Sequence, residues 1–232
     1  LHREKLYDLQ WDRPSEFRPI VKRRDVYSIN ERIGSDGAVV EPLDEKQARK
    51  KISEIVGKKY ESVAVCLINS YKNPVHEELI KYLLLDEGSN RGHKPEISIS
   101  SDIIRTIREL PRLTTTLIDA AVKPLLKNYL SLLKRRLADL GFAGEILVTK
   151  SDGGVTTVDQ IIHRPVYAVS SGVAAGVIAT KFIGELYNLS NLISFDMGGT
   201  TCKTSVIIDG QYQITTEFQF EWDIPIAVPM ID

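Results

Sequence analysis

The segment that most constrains the fold is a continuous apolar run over residues 62–68, Ser-Val-Ala-Val-Cys-Leu-Ile. A run of this length without polar alternation is typical of a strand that is covered on both faces, as in a parallel sheet. A helix is predicted to begin at Asn73-Pro74, with the proline in its first turn, and residues 96–100 are predicted to form the next strand. The buried stripe of that helix is expected at Leu79, Ile80, Leu83 and Leu84. This strand, helix, strand order predicts an α/β fold with a mixed sheet and flanking helices.

The segments before this run predict a hairpin and a helix. Residues 21–33 alternate between apolar and polar side chains, which is typical of a hairpin or an edge strand, and an Asp-Gly pair at residues 36–37 supplies the turn. The next helix is predicted from an N-cap at Asp44 to Gly57. Gln47 lies three residues beyond Asp44, so these two residues form a capping-box pattern.

Apolar residues then recur at helical spacing through residues 115–140, which predicts the longest helix, ended by Gly141. Pro124 lies inside this pattern, so we expect a kink or a break into two helices near residues 120–124. His76-Glu77, in the preceding helix, is interpreted as a surface pair, because residue 80 is isoleucine and a second zinc ligand is absent.

Strands and helices alternate again toward the end of the chain. A tight turn is predicted at residues 197–201, between two strands of which the first is expected to be buried, and an Asp-Gly pair at residues 209–210 predicts a further hairpin. Strands are predicted at residues 145–149, 166–169, 192–196, 202–208 and 211–218, and helices at residues 158–162 and 173–186.

Composition excludes several classes of function. Thirty basic and 31 acidic residues leave a formal net charge of -1, which gives no reason to expect a nucleic acid or an anionic membrane as partner. The apolar runs fall short of the roughly 20 residues that a membrane-spanning helix requires. Cys66 and Cys202 lie far apart in strand-like runs, so we expect neither a disulfide nor a paired metal site. A reducing cytoplasm is the expected location, and the thiol of Cys202 is expected to be buried.

The segment with the clearest chemical use is the strand that ends at Asp196 and continues through Gly198, Gly199, Thr200 and Thr201 into a second strand. Glycines allow the backbone to turn sharply and approach a phosphate, and threonine hydroxyls add hydrogen-bond donors. An acid at the strand end can hold a magnesium ion, usually through water. A tight hairpin without a ligand has the same local pattern, so both interpretations remain open.

The turn is neither a Walker loop nor a dinucleotide fingerprint. No glycine precedes Gly57-Lys58 at the distance that a Walker loop requires, and the glycine turn opens a strand where the fingerprint would open a helix. A strand, a DxGGT turn and a second strand are instead the arrangement of phosphate-binding hairpins in the actin, hexokinase and Hsp70 superfamily.

Several segments, in this order and spacing, together resemble the hydantoinase/oxoprolinase family. The strongest are residues 150–154 (Lys-Ser-Asp-Gly-Gly), 169–177 (Val-Ser-Ser-Gly-Val-Ala-Ala-Gly-Val) and 195–201 (Phe-Asp-Met-Gly-Gly-Thr-Thr). The likeness extends to residues 64–71 (Ala-Val-Cys-Leu-Ile-Asn-Ser-Tyr), 112–116 (Arg-Leu-Thr-Thr-Thr) and 228–232 (Val-Pro-Met-Ile-Asp). It therefore covers nearly the whole chain.

The resemblance implies actin/hexokinase/Hsp70-like lobes of the ribonuclease H-like type, incomplete in this fragment. Residues 1–110 would be the C-terminal part of the family's N-terminal region, and residues 111–232 would begin its hydantoinase A domain. The family's other GGT loop is expected before residue 1, and its glycine-rich segment after residue 232. We therefore expect the chain to lack part of the site.

The resemblance also implies a function. Family members use ATP to open hydantoins or 5-oxoproline, and relatives form subunits of acetone or acetophenone carboxylases. A cyclic amide substrate, ATP, Mg²⁺ and a hydantoinase B-like second subunit or domain are the expected partners. Asp196 would be catalytic and would hold the metal, and the nucleotide would be bound by Gly198, Gly199, Thr200, Thr201, Ser171 and Gly172. An ATP-dependent sensor or chaperone-like module on the same fold is the non-enzymatic alternative.

The chain departs from the family pattern in two segments. Many relatives carry a second acid shortly after the threonines, whereas Cys202 and Lys203 follow here, which puts a metal role at that position in doubt. Val173 stands where relatives often have a proline, so the turn into the helix is relaxed. The start of this helix could bind an anion, or Ser170 could simply cap it.

Overall fold

The computed structural model describes residues 19–199, 202–216, 218–220 and 224–232. The chain divides into two compact units, Leu1–Ala121 with Gln219–Ile226 and Val122–Phe218 with Ala227–Asp232, here called the first and the second unit. The domain boundary expected between residues 110 and 111 stays a prediction.

Strands and helices alternate along most of the chain. The strands are β1 (Arg32–Ile33), β2 (Val39–Glu41), β3 (Ser62–Val65), β4 (Glu96–Ile99), β5 (Leu147–Thr149), β6 (Val155–Thr157), β7 (Leu192–Met197), β8 (Cys202–Ile207), β9 (Ile214–Thr215), β10 (Phe218–Phe220), β11 (Ile224–Ile226) and β12 (Met230–Ile231). The helices are α1 (Glu45–Gly57), α2 (Val75–Asn90), α3 (Ser100–Ile103), α4 (Glu109–Asp139), α5 (Val158–His163) and α6 (Ser171–Leu186), with 3₁₀ turns at Arg23–Asp25 and Pro165–Ala168. Mixed α/β architecture is therefore confirmed, although the sheets are small.

The core of the first unit forms as its apolar pattern predicts. β3 and β4 pair in parallel, with Ser62 opposite Glu96 and Val65 opposite Ile99. The helices α1 and α2 contribute most of the buried side chains that pack with these strands: Ala48, Ile52, Ile55, Val56, Ile80, Leu83 and Leu84. Leu79, the fourth residue of the predicted stripe, is partly buried against the same core.

The cap of α1 is only half of the predicted capping box. Asp44 Oδ1 accepts a hydrogen bond from the Gln47 N–H at 3.0 Å, as an N-cap should. Gln47 Oε1, however, accepts from the Asn30 N–H at 3.0 Å, in place of the Asp44 N–H. The Asp44 N–H donates to the Asn30 carbonyl at 3.1 Å, so Gln47 and Asp44 together fasten the helix to the segment before it.

The longest helix differs from its prediction in two ways. α4 begins at Glu109, six residues before the predicted start at residue 115, and it continues without a break through Pro124. Three successive threonines in its second turn each donate a hydroxyl hydrogen bond to the carbonyl four residues earlier (Thr114, Thr115 and Thr116). An internal proline costs about 3 kcal/mol through one lost hydrogen bond and a clash. Burial of Ala120 and Leu130 on either side helps to offset that cost.

Two predictions for the second unit are wrong. Residues 166–169 do not form a strand, because Pro165 begins the 3₁₀ turn Pro165–Ala168. The turn at residues 209–210 does form, with φ of 49° and 72°, but among the described residues only Ile208 and Gln211 pair across it. The following strand, β9, pairs with β12. Sequence analysis also missed β6, which pairs with β5 in an antiparallel hairpin.

The hairpin of β7 and β8 has the predicted strands, but its first strand is not buried as predicted. Leu192 lies opposite Ile207 and Met197 opposite Cys202 in an unbroken antiparallel register. Ser194 is buried, whereas 71% of Ile193 and 64% of Phe195 are exposed. One face of the hairpin packs on α6, and the described residues leave the other face open. Cys202 is exposed, so the prediction that its thiol is buried is wrong.

No helix in the described parts of the chain combines the length and the apolar character needed to cross a membrane.

Candidate functional site

The β7–β8 hairpin places Asp196 and Lys203 on the face that packs against α6. Leu192 and Ile207 pack with Ala174 and Val177 of that helix. Side chains two residues apart along a strand share a face, and residues paired across strands do as well. Asp196 lies four residues beyond Leu192 and is paired with Lys203, so both point to the α6 side.

A pocket of about 320 Å³ lies between this end of the hairpin and the start of α6. Its walls bring together residues from separate parts of the second unit: Ala168, Ser170, Ser171, Gly172, Val173, Asp196, Gly198 and Lys203. Four of the residues expected to bind nucleotide or metal therefore meet around one space. Gly199 lies in the adjoining turn, and Thr200 and Thr201 lie outside the described residues.

Ser170 does not cap α6 with its side chain, which argues against the simpler interpretation of this segment. Ser170 occupies the N-cap position, yet its hydroxyl makes no capping hydrogen bond. The first N–H groups of a helix have no helical acceptor, so Ser171 and Gly172 present donors at the pocket wall. Ser170 itself has a left-handed φ of 64°, and its Oγ lies 3.5 Å from the Lys203 Nζ that donates to it. Sequence analysis did not assign Lys203 to the site.

Gly199 is not required by packing or by backbone conformation within the described structure. A Cβ atom added at Gly199 would meet no atom of the described residues within 4 Å, and the φ of Gly199 lies outside the left-handed region. Gly153 is the contrast, since its φ is 84° and an added Cβ would lie 2.6 Å from Ile178 Cδ1. A glycine with open space above it permits a ligand to approach the backbone closely.

The metal-ligating side chains of the pocket could hold a metal ion only together with a bound ligand that supplies further oxygen atoms. Asp196 is exposed and has no ion-pair partner within 4 Å among the residues described. Over the same residues, no group of three or more histidine, cysteine, aspartate or glutamate side chains is arranged to hold a metal. Mg²⁺ is commonly held by one or two carboxylates plus substrate phosphates and water. Asp196 alone would satisfy the protein's share of such a site.

The loop at residues 150–154 is organised by its own hydrogen bonds. Lys150 Nζ and Gly154 N–H donate to the two carboxylate oxygens of Asp152 at 2.8 and 2.9 Å. Burial alone would raise the pKa of Asp152, but these hydrogen bonds outweigh it and hold the pKa below its ordinary value. Ser151 N–H donates to the Tyr167 carbonyl at 2.7 Å, which fastens the loop to the 3₁₀ turn. These hydrogen bonds give the loop a structural role.

We expect Asp152→Asn to destabilise the protein near neutral pH by on the order of 0.5–1 kcal/mol. Because the folded-state pKa of Asp152 is depressed, its contribution is present above the unfolded-state pKa and is lost as pH falls through the folded-state pKa. Urea titrations at pH 7 and pH 3 should thus show a difference in the free energy of unfolding between wild type and variant that becomes smaller at pH 3. Lys150→Met should cause a similar loss, and the double variant less than the sum. A stability difference between wild type and Asp152→Asn that does not change with pH would contradict this account.

In the first unit, two of the family-like segments meet at the backbone of Leu67. Arg112 Nη2 donates to the Leu67 carbonyl, and the guanidinium lies 5.4 Å from the centre of the Tyr71 ring. Glu77 Oε1 accepts from the Leu67 N–H at 2.8 Å. Arg112 and Glu77 are fully buried, so the interpretation of His76-Glu77 as a surface pair is wrong. His76 is buried too, with Nδ1 2.8 Å from Glu31 Oε2.

Comparisons with known proteins agree with the family resemblance of the sequence. The model of the hydantoinase/oxoprolinase family matches residues 112–232, and the model of the hydantoinase/oxoprolinase N-terminal region matches residues 1–88. The chain therefore belongs to the hydantoinase/oxoprolinase family.

Three relatives illustrate the range of the family. An uncharacterised protein of Methanocaldococcus jannaschii is 36% identical over 99% of this chain and 34% of its own length. A nucleotide-free structure of acetone carboxylase superposes with a TM-score of 0.80 at 25% identity, over 88% of this chain and 28% of that one. ATP-dependent caprolactamase from Pseudomonas jessenii superposes with a TM-score of 0.74 at 25% identity, over 88% and 29%. This chain thus spans about a third of the length of these relatives.

Proposed function

We propose that the complete protein uses ATP to open a cyclic amide, and that the pocket beside Asp196 holds the phosphates of the nucleotide. The observation that carries the proposal is the convergence of Asp196, the turn at Gly198 and the start of α6 on one open pocket. Caprolactamase, whose substrate by its name is a cyclic amide, supports the choice of reaction. The proposal extends to the actin/hexokinase/Hsp70-like lobes, the domain boundary at residues 110–111 and a cytoplasmic location.

In this proposal, the residues of the pocket bind and orient. The N–H groups of Gly198 and Gly199 would donate to phosphoryl oxygens from one side, and those of Ser171 and Gly172 from the other. The positive end of the α6 dipole would favour the same negative charge. Asp196 would hold Mg²⁺, either directly or through water. Bound ATP would supply the phosphoryl group that turns the amide oxygen into a good leaving group.

Electrostatic stabilisation by oriented donors is the main contribution that such a site can make. N–H groups held by a helix and a hairpin need little rearrangement as charge develops on the transferred phosphoryl group. We propose that Thr200 and Thr201 add hydroxyl donors, in line with their place in the motif. A hydantoinase B-like subunit or domain would complete the enzyme on the substrate side.

An ATP-dependent carboxylase subunit is the second candidate. It is favoured by the superposition on acetone carboxylase, which has the higher TM-score of the two solved structures. Both candidates require the same nucleotide pocket. They differ in the acceptor of the phosphoryl group, which is an amide oxygen in one reaction and bicarbonate or a ketone enolate in the other.

Phosphate release by the complete protein separates the candidates. We expect ATP hydrolysis that depends on Mg²⁺ and on a cyclic amide, in a panel containing hydantoin, 5-oxoproline and caprolactam. Hydrolysis that requires a ketone together with bicarbonate would favour the carboxylase, and ATP binding without either dependence would favour a sensor module. The 232-residue chain alone should show no substrate-dependent turnover, so robust activity of this piece would contradict the expectation that part of the site lies elsewhere.

A further inference from the structure

Lys203 is a positively charged residue of the pocket wall that the site residues expected from the sequence do not include. It follows the glycine turn on β8 and pairs with Asp196 across the hairpin. Directly opposed aspartate and lysine side chains on one face would ordinarily form an ion pair. Within the described residues, however, no carboxylate oxygen lies within 4 Å of the Lys203 ammonium.

The Lys203 side chain reaches toward the α6 side of the pocket. Its Nζ donates to Ser170 Oγ at 3.5 Å, the long limit of a hydrogen bond. An ammonium group has three donors, so one long contact among the described residues leaves capacity for a ligand. The wall around it contains Asp196 as its acid and the N–H groups that begin α6. Lys203 therefore adds a full positive charge to a pocket wall that also includes the start of α6.

We propose that Lys203 contacts the nucleotide directly, by donating hydrogen bonds from its ammonium group to a phosphoryl oxygen. This inference rests on the proposed nucleotide pocket. One Mg²⁺ ion held by one carboxylate would leave part of the negative charge of the phosphates unbalanced. The Lys203 ammonium would compensate part of that charge. A site with a second acid at that position would differ, because its phosphate charge would be compensated through an additional contact to a metal ion.

The alternative is that Lys203 acts on the fold, by holding Ser170 in its left-handed conformation. The two roles differ in what removal of the Ser170 hydroxyl should do. A lysine that contacts phosphate remains useful in Ser170→Ala, whereas a lysine that only positions the start of α6 loses its partner in that variant. Comparing the two substitutions therefore distinguishes ligand contact from positioning.

The test is calorimetric titration of the complete protein with MgATP. Lys203→Met should weaken binding by about 10-fold or more, because it removes a charge-assisted hydrogen bond. Lys203→Arg should retain most of the affinity, and Ser170→Ala should lose less than Lys203→Met. Lys134→Met is the matched control, since Lys134 lies in the same unit and pairs with the exposed Asp159 at 3.6 Å. Melting temperatures of the unliganded variants should stay close to that of wild type.

Each outcome decides the question. Wild-type affinity in Lys203→Met would overturn the inference while leaving the nucleotide pocket intact. Equal losses in Lys203→Met and Ser170→Ala would overturn it in favour of a positioning role. Failure of the wild type itself to bind MgATP would refute the proposed function and this inference together. A steeper decline of affinity with salt in the wild type than in Lys203→Met would support the inference further.

Discussion

Gly199→Val in the complete protein is expected to weaken MgATP binding by on the order of 10- to 100-fold, because a side chain would occupy the space that a phosphoryl group needs. The estimate corresponds to the loss of one charge-assisted hydrogen bond, about 1.5–3 kcal/mol. Affinity would be measured by calorimetric titration. The folded state should hardly change, since an added Cβ meets no atom of the described residues within 4 Å and φ lies outside the left-handed region.

Gly153→Val provides the matched control, with the opposite profile. Gly153 has a φ of 84°, and an added Cβ would lie 2.6 Å from Ile178 Cδ1 and 3.0 Å from Ile231 Cδ1. We expect this variant to lose about 2–4 kcal/mol of stability, from backbone strain and overpacking. Equal ATP affinity in wild type and Gly199→Val would mean that the turn is a plain hairpin.

Glu77→Gln is expected to cost about 2–4 kcal/mol of folding stability, measured from the midpoint of urea denaturation. Glu77 is completely buried, and its carboxylate accepts three hydrogen bonds, from Leu67 N–H, Ser100 Oγ–H and Ser101 N–H, at 2.7–2.9 Å. A glutamine amide has only one oxygen, so its NH₂ group would face another donor. The arrangement requires the carboxylate.

Glu78→Gln is the control for this substitution. Glu78 is the next residue of α2 and is exposed, so the same chemical change there should alter stability by less than about 0.5 kcal/mol. A similar small effect at Glu77 would show that the buried hydrogen bonds contribute little. A large effect would identify the contact of α2 with Leu67 and α3 as a main support of the first unit.

The elements that sequence predicts well are those with a local cause. The apolar run at residues 62–68 predicts a parallel strand because alternation is absent, and the stripe on α2 follows from helical spacing. The turn after Asp196 is predicted because glycines allow a tight reversal between two strands. Each of these inferences uses residues that are neighbours along the chain.

The features that sequence does not predict depend on partners far along the chain. Burial of Glu77 follows from its contacts with Leu67, Ser100 and Ser101, which no local pattern indicates. The place of Lys203 in the pocket follows from the register of β7 and β8 and from the position of α6. The apolar pattern of β7 predicts burial, yet Ile193 and Phe195 belong to a face that the described residues leave open.

The most direct test of the nucleotide pocket is a crystal structure of the complete protein with Mg²⁺ and a non-hydrolysable ATP analogue. We expect its phosphates to lie between the turn at residues 198–199 and the start of α6, within hydrogen-bond distance of the Gly198 and Ser171 N–H groups. The metal ion should lie beside Asp196, directly or through a water molecule. A nucleotide bound elsewhere, with this pocket filled only by water, would contradict the central claim.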